Sequence, residues 1–334
     1  MARKTPRPRV HLIAHANPAT RDIKRLGMPD TATYLRFIRA QLPRTHRLTA
    51  TPRLFDAAED QDRGGRRDDA ARVRDLQNAM DDPATVAIVA VSGGAYFSRL
   101  LPELDFSALI RRHRPLWALG FSEMTGLVNI VSSYRAGRGV YWLCPNYLAW
   151  KIKPRRAARA AFAEFWRNLP DFIAEQRPAH AEHLPLGPIR GQLVSGTLRA
   201  GNVRLIGGCL SVLAGVLTGG VARRLRPDGR WLVLEDVFEP PYRVDRFLAT
   251  LKIAGWFERV AGVLVGSFHY KRENRAPAVV ELLRYHLPRG RRVPVVVSET
   301  VGHTWPIVPL PLNRPLSLRV RGRKVSVHTP WEAR

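Results

Sequence analysis

The chain has only two cysteines in 334 residues, Cys144 and Cys209. They lie far apart, too few for a disulfide framework and without the spacing of a metal site. Long apolar runs are also missing. No stretch reaches the roughly 18 residues that suggest a membrane span. "VHLIAHA", near the basic N-terminus, is too short and too mixed for the apolar core of a signal peptide. The expectation is a soluble, reduced, cytoplasmic protein with no membrane partner. Acidic side chains are scarce: 28 Asp+Glu stand against 54 Lys+Arg, a formal net charge of +26. That balance favours anionic partners, from nucleic acid to a carboxylate-rich ligand. The basic residues are scattered, however. The densest clusters, "RGGRR" and "KIKPRRAAR", read as loop or linker, so a solvated Arg-rich surface is preferred to a dedicated nucleic-acid face. Internal repeats are absent, and so is G-x-G-x-x-G, which removes the dinucleotide fingerprint.

What is present is enough apolar sequence, 45% of the chain, to bury a sizeable core. The length suggests two domains. In the first half, strands alternate with helical patterns. Val10 to Ala14 reads as a strand. Thr31 to Gln41 reads as a helix with Tyr34, Phe37, Ile38 and Leu42 on one face, and 68–80 as another with Val73, Leu76 and Met80 together. "TVAIVAV" suits a buried parallel strand. A turn at "SGG", a helical "YFSRLL", the strand "LWALG", a helix over 125–134 and the strand "GVYWL" follow. This order predicts an α/β domain over 1–150 with a parallel sheet flanked by helices. Residues 151–187 read as a linker with one helix. Over 188–334, "GQLVSG", "VRLIGG", "WLVLEDV", "GVLVGSF", "VPVVVSE" and "LSLRVRGRKVSVH" read as strands, with helices near 210–217 and 245–254. This predicts a smaller β-rich second domain.

Chemistry concentrates at the ends of strands. In "ALGFSEMTGL", Ser122 sits on a corner between a strand and a helix, where open α/β sheets bind ligands. Such a corner projects its side chain outward, as a nucleophile requires, although Met124 stands where G-x-S-x-G has its second glycine. Alone, the position is more often a helix N-cap than a nucleophile. A nucleophilic serine also needs a base, and the base an orienting acid. "SETVGHTWP" puts His303 on a loop after a strand. "WLVLEDVFE" puts Glu235 and Asp236 at the end of another, where burial without a partner is costly. Serine, acid, histidine is a chain order that serine hydrolases use. Gly93 and Gly94, between a strand and a helix, make a turn able to offer N–H groups to an anion.

These blocks together resemble the LD-carboxypeptidase family of serine peptidases, which includes muramoyltetrapeptide carboxypeptidases and microcin C self-immunity peptidases. The matching stretches are "SGGAYFSRLLPELDFSALI", "RPLWALGFSEMTGL", "RLIGGCLSVLAGVLTG", "WLVLEDVFEPPYRVDRFLATLKIAGWFERVAGVLVG" and "GHTWPIVPLPLNR", in order across about residues 68 to 320. The resemblance implies a nucleophile at Ser122, an acid at Glu235 and a base at His303. It implies an oxyanion hole from the backbone N–H groups of Gly94 and Glu123. It further implies an α/β domain joined to a smaller β-rich domain, commonly as a homodimer, acting on a peptide without metal or cofactor.

The chain departs from the family pattern at several positions. Ser92 stands where carboxypeptidase members often carry Arg, Glu123 replaces Asp, and Cys209 replaces Asn. With Ser92 in place, Arg135 and Arg246 are the candidates to grip a substrate carboxylate. Trp166, with Trp150 and Phe165, is a candidate to stack on a substrate ring. Three functions compete at this level. One is LD-carboxypeptidase action on a murein tetrapeptide, releasing a terminal D-amino acid. The second is an amidase that detoxifies a peptidyl-nucleotide antibiotic of the microcin C type. The third is a catalytically silent protein whose basic surface holds an anionic polymer.

Overall fold

The computed structural model describes residues 7–56 and 67–332. The "RGGRR" cluster lies outside the described residues except for its last member, Arg67. The first half contains β1 (Arg9–Ile13), α1 (Thr20–Arg25), α2 (Thr31–Gln41), β2 (Arg47–Ala50), α3 (Asp69–Asp81), β3 (Thr85–Ala90), α4 (Ala108–Arg111), β4 (Leu116–Gly120), α5 (Thr125–Ser132) and β5 (Gly137–Tyr141). The five strands form a parallel sheet in the order β5-β4-β3-β1-β2. Its central strands read as unbroken apolar runs because both faces are covered: β4 is buried at every residue, and β3 at all but one. Helix α2 spans the expected residues, with Tyr34 and Ile38 buried. The "YFSRLL" stretch forms a 3-10 helix, Ser98–Glu103, instead of an α-helix. Pro102 lies inside it and cannot donate to a longer helical ladder.

Two helices follow, α6 (Leu148–Lys151) and α7 (Arg155–Ile173). Helix α7 buries an aromatic stripe against the first sheet's layer, with Phe162 stacked near Tyr34 and Phe37.

The second half holds β6 (Ile189–Ser195), β7 (Gly201–Val203), β8 (Leu205–Cys209), α8 (Leu210–Val216), β9 (Trp231–Val237), α9 (Pro241–Ile253), β10 (Gly262–Tyr270), β11 (Glu273–Asn274), α10 (Ala276–His286), β12 (Val295–Ser298), β13 (Leu310–Pro311), β14 (Leu316–Arg321) and β15 (Lys324–His328). Its sheet runs β7-β14-β15-β6-β12-β10-β9-β8. β8, β9, β10 and β12 are parallel; the remainder pair antiparallel. The β-rich expectation therefore holds, but the parallel part carries three helices rather than two. Helix α10 is the one the sequence reading passed over. Its signals were a proline in its first turn and buried Val279, Val280 and Leu283 at helical spacing. Helix α9 begins at Pro241, earlier than expected, because proline suits a first helical turn.

The two sheets are stitched together. β13 adds antiparallel to β5 at the edge of the first sheet. The next residues continue across: Leu312 N–H donates to the Gly139 carbonyl at 2.9 Å and Asn313 N–H to the Leu205 carbonyl at 2.8 Å. Among the described residues, no helix is long and apolar enough to cross a membrane.

Candidate active site

Strand β4 ends in a turn so sharp that Ser122 takes a left-handed backbone, φ +59°. Gly120 permits it, since a Cβ there would stand 2.5 Å from the Cβ of Met124. A serine at positive φ persists only where its surroundings hold it. Here the Ser122 N–H donates to the Tyr141 hydroxyl at 3.2 Å, and its carbonyl accepts from Thr125 Oγ1 at 2.7 Å. The Gly93–Gly94 turn lies alongside: a Cβ on Gly93 would be 3.4 Å from Ser122 Cβ.

Glu235, near the carboxyl end of β9, has no exposed surface. Its charge is met by three donors. Oε1 accepts from the Tyr141 hydroxyl; Oε2 accepts from the His303 N–H at 3.1 Å and from ring Nδ1 at 2.8 Å. A carboxylate only accepts, so Nδ1 carries the ring proton and the Nε2 lone pair faces outward. Nε2 lies 3.1 Å from Ser122 Oγ. The Phe121 ring packs on the imidazole, with centroids 4.4 Å apart. The structure thus brings Ser122, His303 and Glu235 into one hydrogen-bonded line from three distant segments. Such a line can draw a proton from the serine hydroxyl as Oγ attacks an electrophile.

Glu123 does more than follow the serine. Its Oε1 accepts from the N–H groups of Phe97 (3.0 Å) and Ser98 (2.9 Å) and from Ser98 Oγ (2.9 Å). Its side chain therefore ties the serine corner to the segment that follows the Gly93–Gly94 turn. The two turns whose N–H groups the resemblance assigns to an oxyanion are held as one unit.

The serine opens on a cleft of about 760 Å³ lined by Arg21, Asp22, Tyr147, Trp150, Lys151 and Phe238, among others. Asp22 accepts from Ser92 Oγ at 2.9 Å and from Trp150 Nε1 at 2.7 Å. Burial pushes its carboxyl above the usual range, and those two hydrogen bonds act against the shift. Arg25 lies 3.5 Å over the Trp150 ring, and Arg21 4.7 Å from its centroid. Burial lowers the Lys151 ammonium from its ordinary value. Burial, and next the charge of Glu235, raise the Tyr141 phenol well above its ordinary value, which keeps it a neutral donor. Asp236, next to Glu235, is pushed up to about 6 by burial and then by the Glu235 charge. Among the described residues, no group of three or more His, Cys, Asp or Glu side chains could hold a metal ion.

Of the residues singled out from the sequence to hold a substrate, Trp150 lines the cleft, whereas Arg135, Arg246, Trp166 and the buried Phe165 do not. Arg135 is exposed on the connection from α5 into β5, at the amino end of that strand and so at the opposite edge of the sheet from Ser122. Arg246 is exposed on α9, its guanidinium 6.0 Å from the ring centroid of Tyr242. Trp166 is wholly buried, packed edge-on against Phe162 and Phe165 in the α7 stripe. The residues that do line the cleft come mostly from segments at the carboxyl ends of β1, β3, β4, β5 and β9, with His303 from the loop after β12. The rule that ligands bind beyond the carboxyl ends of parallel strands leads to Arg21 after β1 and Lys151 after β5.

Comparison with known proteins places the chain in a family. The LD-carboxypeptidase N-terminal domain matches residues 10–138 and the LD-carboxypeptidase C-terminal domain residues 202–318. A Streptomyces coelicolor protein that bears a carboxypeptidase name is 32% identical over 262 residues, covering 75% of this chain and 74% of that one. The murein tetrapeptide carboxypeptidase of Pseudomonas aeruginosa is 33% identical over 202 residues, 59% of this chain and 60% of its own. In fold, the chain is similar to the crystal structure of an MccF-like protein from Bacillus anthracis, with a TM-score of 0.68, 18% identity, and 97% and 98% of the two chains covered. The chain belongs to the LD-carboxypeptidase family of peptidases.

Proposed function

We propose that the chain is a serine carboxypeptidase that cleaves the last amide bond of a murein-derived peptide and releases a terminal D-amino acid. The observation that carries this reading is the 3.1 Å approach of His303 Nε2 to Ser122 Oγ, with Nδ1 held 2.8 Å from Glu235. Ser122 Oγ attacks the carbonyl carbon, and its proton passes to Nε2. Glu235 holds the ring and stabilises the imidazolium. The Gly94 and Glu123 N–H groups receive the oxyanion, each donor worth about 3 kcal/mol. The C–N bond then breaks as Nε2 returns the proton to the leaving amine. Water, deprotonated by the same nitrogen, frees the acyl group and restores Ser122.

The substrate reading rests on the cleft and on the relatives. A carboxypeptidase must hold a carboxylate beside the scissile bond. Ser92 is uncharged, and Arg21 and Lys151 are the cations lining the cleft. We assign them that task in place of Arg135 and Arg246. The Pseudomonas relative's name supplies the class of peptide. One observation favours the second reading, hydrolysis of a peptidyl-nucleotide. Phe238 lines the cleft 80% exposed with φ +67°, and its ring, which has no aromatic partner among the described residues, offers a face for stacking on a base.

Purified protein given murein tetrapeptide is expected to release D-alanine, and Ser122→Ala to abolish release while melting like wild type. A peptidyl-nucleotide conjugate run in parallel separates the two substrates. Wild-type turnover by Ser122→Ala, or no hydrolysis of either substrate, overturns the proposal.

A further inference from the structure

Tyr141 is a strand residue that neither the motifs nor the chemistry above requires, yet its hydroxyl lies at the centre of the site. It donates to Glu235 Oε1 and accepts from the Ser122 N–H at 3.2 Å. The side chain is wholly buried, its ring packed 5.4 Å from Phe121, which in turn packs on His303. One phenol thus touches the acid and the backbone of the nucleophile, and its ring neighbour touches the base.

We infer that Tyr141 is a positioning residue that sets the basicity of His303 through Glu235 and fixes the left-handed corner of Ser122. The inference rests on the hydrolytic reading above. Two consequences follow from the bonding. First, with Oε1 engaged by the phenol, Oε2 alone serves His303, and it does so twice, through the backbone N–H and Nδ1. The phenol draws negative charge toward Oε1, so Oε2 stabilises the imidazolium less than a free carboxylate would. Second, the Ser122 N–H is spent on the phenol. It cannot join the oxyanion donors, which leaves that task to Gly94 and Glu123. A phenol that ionised would repel Glu235 and lose its proton for Oε1; burial beside that carboxylate keeps it protonated.

The test is Tyr141→Phe, which keeps the ring and removes only the hydroxyl. Hydrogen bonds to charged groups are the strong ones, so kcat on the murein tetrapeptide is expected to fall about ten- to a hundred-fold, with KM within about twofold. The acid limb of kcat/KM is expected to move to higher pH, because Oε2 regains charge and holds the imidazolium more tightly. A merely structural tyrosine would lower the melting temperature or the active fraction and leave that limb in place. Should Tyr141→Phe fail to fold, 3,5-difluorotyrosine at position 141 keeps the shape and strengthens the donor; it is expected to move the limb to lower pH. An acid limb unmoved in a folded variant of either kind overturns the inference while wild-type hydrolysis stands. A serine-directed phosphonate that fails to label wild type, together with no hydrolysis, overturns the underlying reading and this one with it.

Discussion

Replacing Gly302 by alanine probes how tightly the fold fixes Glu235 against His303. Gly302 precedes His303 and has φ +103°, outside the regions side chains ordinarily adopt. A Cβ there would lie 2.5 Å from Ser267 Oγ and 2.8 Å from Glu235 Oε2. Ordinary contact begins at about 3.5 Å, so the carboxylate would have to retreat by roughly 0.7 Å. The Nδ1–Oε2 distance of 2.8 Å would then stretch to about the limit of a hydrogen bond. Misplacement on the order of 1 Å costs about a hundred-fold in rate, so kcat/KM is expected to fall about ten- to a hundred-fold. The backbone strain adds about 1–3 kcal/mol of destabilisation, a lowering of the melting temperature by about 2 to 10 °C. Gly322→Ala is the control. It too has positive φ, +59°, but nothing lies within 4 Å of its Cβ, so it should lose stability and keep activity. Steady-state rates and thermal melts of the two variants decide the matter. A Gly302→Ala enzyme within twofold of wild type would refute the claim that close contact at this glycine registers Glu235 on His303.

Two further outcomes follow from the cleft and its surroundings. Lys151→Met keeps most of the stem and removes the charge; it is expected to raise KM about tenfold or more for a peptide ending in a carboxylate, with kcat nearly unchanged and no effect on the same peptide amidated, as steady-state kinetics would read. Asp236 is pushed from 3.8 up to about 6 in the folded chain, so folding favours its protonated form. That contribution is full below the unfolded value and is lost as pH rises through about 6, a change of about 3 kcal/mol. Asp236→Asn should therefore gain stability relative to wild type by about that amount between pH ~4 and pH ~7 in urea melts; a constant difference across that range would count against the assignment.

The parts of this site that the sequence discloses are those whose chemistry is tied to a local pattern. Ser122 follows an apolar strand and opens a helix, Glu235 ends another apolar strand, and His303 follows a glycine after a third. Tyr141 carried no such mark. An aromatic in "GVYWL" reads as an ordinary strand former, and its value lies in a partner 94 positions away. Arg135 and Arg246 are candidates from the sequence because a substrate carboxylate needs a cation. Strand direction decides differently, because the connection holding Arg135 enters β5 at the edge of the sheet remote from Ser122. Trp166 was ambiguous by type, since an aromatic stripe at helical spacing serves a core as readily as a ligand. The burial of α7 resolves it toward the core.

The convergence of three segments raises the question of whether the site must be assembled by a motion of the two sheets. The bonding between them argues that it is built in. Asn129, wholly buried on α5, pairs with both backbone groups of Gly207 on β8, each at 2.9 Å. Thr125 Oγ1 accepts from the Cys209 N–H at 3.1 Å while donating to the Ser122 carbonyl. Asn313 Nδ2 reaches Ser132 Oγ at 2.8 Å from the segment that also bonds β5 and β8. Buried polar groups left unpaired are costly, so parting the sheets would expose a row of such penalties at once. Tyr141 and Glu235 add one more bond across the same seam. The helix that begins three residues after Ser122 is therefore joined to the strand beside the one that carries Glu235. Such a seam holds the serine, the imidazole and the carboxylate in register before any substrate arrives, which is the condition under which fixed dipoles stabilise a transition state without first reorganising.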